Sequence, residues 1–145
     1  MLAATIMLAG IVGAIQVLVS GSEMLETSRK QAAALQIIDS ELARVRMSNL
    51  SGAWSSSLPA ALPNTNSNGV TIDLNSRYPA SSYNKDFRTL IQKFTCTRTV
   101  GFAMSRTDYK QVTVKVTWTN HNGRTYTRTG TTYVGKNGLY VSYQR

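Results

Sequence analysis

The sequence predicts an α+β fold: a long N-terminal α-helix, apolar and then amphipathic, packed on a four-stranded antiparallel β-sheet. Two patterns carry that expectation. Residues 22–49 hold neither Pro nor Gly and repeat their apolar positions at helical spacing. Val112, Val114, Val116 and Trp118 alternate with Thr113, Lys115, Thr117 and Thr119, the period-2 pattern of a strand with one buried face. At 145 residues the chain has room for one domain.

Met1 to Val19 is a run of 19 residues without a charge, with Thr5 and Gln16 its main polar members. As a helix it extends ~28 Å at 1.5 Å per residue. That length suits the hydrocarbon core of a bilayer, which takes ~17 to 25 residues. A secretory signal peptide has a basic start and a shorter apolar run, and neither is present here.

Beyond Gly21, Leu25, Ala32, Leu35, Ile38, Leu42 and Val45 read as one helical stripe. Glu26 with Lys30, and Glu41 with Arg44, are spaced for ion pairs on outward faces. The helix is expected to end near Gly52. If it stays continuous through Gly21 it forms a rod of ~75 Å, far longer than the helices of ordinary globular domains. This N-terminal part is residues 1–53, divided into 1–21 and 22–53.

Residues 54–86 are rich in Ser, Asn and Pro and read as a connecting loop, with a short strand at Val70 to Leu74. Residues 87–145 read as the sheet head. Its strands are expected at Leu90 to Phe102, Val112 to Thr119, Arg124 to Val134 and Leu139 to Tyr143. Asn122-Gly123 marks a tight turn, and Lys136-Asn137-Gly138 a last one. Leu35, Ile38, Leu42 and Val45 are expected to meet Val112, Val114, Val116 and Trp118 between helix and sheet.

Charge is unevenly spread. Before residue 54 four bases balance four acids. After it twelve bases face only Asp73, Asp86 and Asp108, so the whole net charge of +9 falls on the head. Such a head attracts nucleic acid, anionic lipid or acidic polysaccharide, and it equally serves solubility. Lys115, Arg124, Arg128 and Lys136, near Tyr126 and Tyr133, are the residues that would form an anion or DNA surface, since aromatics beside cations suit single strands.

Enzymatic chemistry finds little to work with. Cys96 is the only cysteine and reads as a small strand residue, while His121, the only histidine, stands in a turn. There is no Gly-rich phosphate loop after a strand and no His and Cys cluster to hold zinc. No enzyme, cofactor or small-molecule substrate is expected.

Met1-Leu2-Ala3-Ala4-Thr5-Ile6-Met7-Leu8-Ala9-Gly10 resembles the start of the helix in minor type IV pilins and pseudopilins. VTVKVTWTNHNGRTYTRTGTTYVGKNGL is similar to the terminal hairpins of the same group. The resemblance covers both ends of the chain and little of its middle. It implies a subunit held in the bacterial inner membrane and then polymerised, alone or with other pilins, into a surface pilus or a periplasmic pseudopilus. Leu2, Ile6, Leu8, Gly10 and Ile11 would then line the membrane and filament core with Gly13, Ile15, Val17 and Leu18.

Gly10 and Gly13 would allow close helix approach or local stretching, although Gly is also simply common in membrane helices. The family's basic leader and glutamate do not stand before Met1. Either the mature protein begins a few residues earlier, which is the preferred expectation, or this is a divergent member, and no residue here is assigned the glutamate's role. The competing expectation is a basic binding module, tethered by one membrane span, that captures DNA or anionic glycan.

Overall fold

The computed structural model describes residues 2–50, 69–102 and 109–135. Leu2–Leu50 form one helix, α1, of 49 residues. The chain divides into two compact units, Met1–Ala32 and Ala33–Arg145. The first is the leading part of α1. The second holds the rest of α1 and a four-stranded antiparallel sheet in the order β1-β2-β3-β4, so the fold is α+β. Its strands are β1 (Val70–Ile72), β2 (Phe94–Phe102), β3 (Tyr109–Thr119) and β4 (Thr125–Gly135).

The short strand expected at Val70 to Leu74 is present as Val70–Ile72 and is the fourth strand of the sheet, with Ile72 paired to Cys96 in β2. Leu139 to Tyr143, expected as a fourth strand, lies outside the described residues. The segment from Phe87 is helical before it is extended: Lys85–Ile91 form α3, and the strand begins at Phe94 rather than Leu90. Asn84 sets this helix, accepting from the Asp86 N–H at 3.0 Å as an N-cap, while Asp86 adds an acid to its first turn. A shorter helix, α2 (Leu74–Arg77), follows β1 and is capped by Asp73, which accepts from the Asn75 N–H at 3.0 Å and the Ser76 hydroxyl at 2.9 Å. These bonds hold the Asp73 carboxyl below its ordinary pKa, the Ser76 bond contributing most.

The β3–β4 connection also differs from a two-residue turn. The Gly123 N–H donates to the Asn120 carbonyl at 3.0 Å, so His121 and Asn122 are the central pair and Gly123 follows at φ +77°. A left-handed Gly after such a turn is the usual three-residue hairpin geometry.

The core lies between α1 and one sheet face. Ala33, Ala34, Ile37, Ile38 and Leu42 pack with Ile72, Cys96, Val114, Val116 and Trp118. Val45 joins Val100, Val112 and Val134 in a second cluster. Ile38, Leu42, Val45, Val112, Val114, Val116 and Trp118 are thus buried as expected, but Leu35 is 51% exposed and faces away from the core.

The buried arc is centred on Ala34, Glu41 and Val45, and at ~100° per residue Leu35 stands roughly 100° around the helix from it. Two small residues and a charged one on the core face drew the apparent stripe toward the larger Leu35. Gly130 marks the closest approach of helix to sheet, since a Cβ there would collide with Ile38 Cγ2 and lie 3.1 Å from Leu42 Cδ1.

Candidate interaction surfaces

In the first unit apolar side chains stand in the open. Met7 (74% exposed), Leu8, Ile11 (58%), Ile15, Val17 and Leu18 (73%) are all solvent-facing. A Cβ placed at Gly10, Gly13 or Gly21 would meet nothing within 4 Å. Nothing inside the described chain therefore requires glycine at those three positions. The side chains of Leu2, Thr5 and Ile6 lie outside the described residues. Over the described residues no helix is long and apolar enough to cross a membrane. Glu26 and Lys30 pair at 2.7 Å, as their spacing suggests, but Lys30 is buried rather than outward.

In the second unit the expected basic surface is not brought together. In an antiparallel sheet residues directly opposite share a face. Lys115 pairs with Thr97 and Thr129 on the outer face, whereas Arg128 pairs with Val116 on the helix side. Arg124 sits in the turn, its N–H donating to Asn122 Oδ1 at 3.1 Å, and Lys136 lies outside the described residues. The aromatics divide in the same way. Tyr126 stacks on Trp118 at 5.8 Å on the core side, and Tyr133 is exposed on the other. Around Lys115 the outer face is a neutral field of hydroxyls. Thr113 meets Thr131, Thr117 meets Thr127 and Thr119 meets Thr125, each pair 3.3 Å apart.

A buried carboxylate stands where the charge pattern pointed to solvent. Glu41 was expected on an outward face, yet it is 1% exposed. Its Oε1 lies 3.9 Å from Arg44 Nε and 3.8 Å from Arg77 Nε, with no hydrogen-bond partner among the described residues. It ties α1 electrostatically to α2, where Ser40 and Tyr78 also share a short hydroxyl contact. Burial pushes the Tyr78 phenol up despite that bond. The signal available beforehand was position alone, since Glu41 lies three residues after Ile38 and four before Val45.

Cys96 is buried in β2, and its thiol is pushed up to about 12, first by burial and then by the Glu41 charge, with Arg98 opposing. A thiol so held is a poor nucleophile, because the thiolate is the reactive form. His121 is exposed in the β3–β4 turn. Among the described residues no group of three His, Cys, Asp or Glu is placed to hold a metal ion.

No protein-family model, curated protein or solved structure matches this chain.

Proposed function

We propose that this chain is a pilin-like structural subunit, inserted in the bacterial inner membrane through residues 1–21 and polymerised through α1 into a surface pilus or a periplasm-spanning pseudopilus. The observation that carries this reading is the exposure of Met7, Leu8, Ile11, Val12, Ile15, Val17, Leu18 and Val19 on a helix whose later residues bury their own apolar face against a sheet. A run of apolar surface that large demands a partner.

A helix is suited to two apolar settings in succession, because it satisfies its own backbone hydrogen bonds in lipid and again among packed helices. The uncharged sequence from Met1 to Val19 supports the lipid stage. Neighbouring subunits then cover the same surface, which lowers the cost of leaving the bilayer. The net charge of +9 falls on residues 54–145, and the reading assigns the sheet no chemistry.

The test is electron microscopy of the full chain after detergent removal and of material sheared from cells producing it. Filaments containing the chain are the expected result. Monomers under every condition would count against the reading.

A further inference from the structure

The two edges of the sheet are built differently. β1 closes one side with three residues, and so short an edge offers little to pair with. β4 closes the other with eleven, each facing one residue of β3 without a bulge. It contains no Pro and no Lys, and its one charged residue is Arg128. A short strand, a bulge, Pro or Lys is what usually keeps an edge from pairing, and β4 has none of them.

In an antiparallel ladder about half of an edge strand's N–H and C=O groups point away from its neighbour. Among the described residues β4 makes no backbone hydrogen bond within the sheet except with β3. Its side chains leave the row accessible: Thr125, Thr127, Thr129 and Thr131 are exposed on the outer face, and Arg128 is exposed on the helix side. Only another extended backbone matches such a row residue by residue.

Charge then selects among extended segments. The described strands carry Arg98, Lys110, Lys115 and Arg128 and no Asp or Glu, and residues 136–145 hold no acid either. A strand from this chain or from a second copy therefore brings like charge or none to Arg128, where an opposite charge is the favourable neighbour. We propose that the β4 edge takes up an extended acidic segment of a different protein, adding it to the sheet beside β4 with its acids on the helix side, against Arg128. This edge belongs to the second unit, and its use does not depend on what covers the apolar part of α1.

The test is amide hydrogen exchange of β4 in the full chain, in detergent, with a synthetic peptide of about ten residues, a strand's length, that alternates Thr with Val and has Glu in place of its central Val residues. The fast-exchanging, outward amides of β4 should slow about tenfold at saturation, since each such factor needs only ~1.4 kcal/mol of added protection. The same peptide with alternate backbone nitrogens methylated cannot complete the ladder and should have no effect. A Lys version should bind about fivefold more weakly, and Arg128→Glu, a change at an exposed side chain, should reverse that preference. No slowing, equal slowing by the methylated peptide, or indifference to Glu against Lys would overturn the proposal. So would outward amides already slow in the chain alone, because the edge would then be taken by the chain's own residues.

Discussion

Gly130 is the residue on which helix-to-sheet packing is most sensitive. Its missing side chain is the space Ile38 and Leu42 occupy, so Gly130→Val forces α1 away from β3 and β4. Overpacking of this kind costs ~1–3 kcal/mol, to be read from the shift of the denaturant midpoint. In the sequence the glycine was only one weak position in a strand, because its reason lies on another element nearly ninety residues away. Cys96 was legible as a small strand residue, though its environment was not. With its thiol pushed up to about 12 it should resist alkylation at pH 8 in the folded chain and react at the rate of unfolding. Because the folded value is raised, the neutral thiol's contribution to stability is complete below pH ~9, the unfolded pKa, and is lost as pH rises from there toward about 12. Rapid alkylation of native protein at pH 8 would contradict that burial.

At the scale of elements, periodicity identified the sheet strands well where one face is apolar. Val112 to Trp118 alternates strictly, and β3 and β4 follow from it. The register also settled what composition left open: Lys115 and Arg128 differ by an odd number of positions across the Val116–Arg128 pairing, so they fall on opposite faces. The short helices α2 and α3 were harder to see than β1, which was expected at Val70 to Leu74, since four to seven residues scarcely define a helical period and their caps are single side chains. The arc of α1 was misjudged for a different reason, because a buried Glu41 and two alanines hide a core face from any rule that counts large apolar residues. The correction has a measurable consequence. Leu35→Ser should change unfolding stability by less than ~0.5 kcal/mol, whereas Ile38→Ala should cost ~2–5 kcal/mol. Comparable losses from the two would restore Leu35 to the core.

For the whole molecule the organising fact is a division of labour along one chain. Among the described residues, those from Ala33 onward form two buried apolar clusters that join helix and sheet. The described apolar residues up to Ala32 are exposed. That contrast was legible in the sequence, because an uncharged run precedes a mixed one. The specific contact surface was not, because an all-round apolar helix gives no angular preference until polar residues begin. The most direct measurement is sedimentation of the full chain after detergent removal, comparing the unsubstituted protein with Ile15→Lys. A buried charge in a helix bundle cannot be paired without a partner provided for it, so the variant should stay in small species while the parent pellets as polymer. The near-ultraviolet signal of Trp118 should be the same in both, reporting an intact head. Undiminished polymer from Ile15→Lys, with the head folded, would contradict assembly through α1.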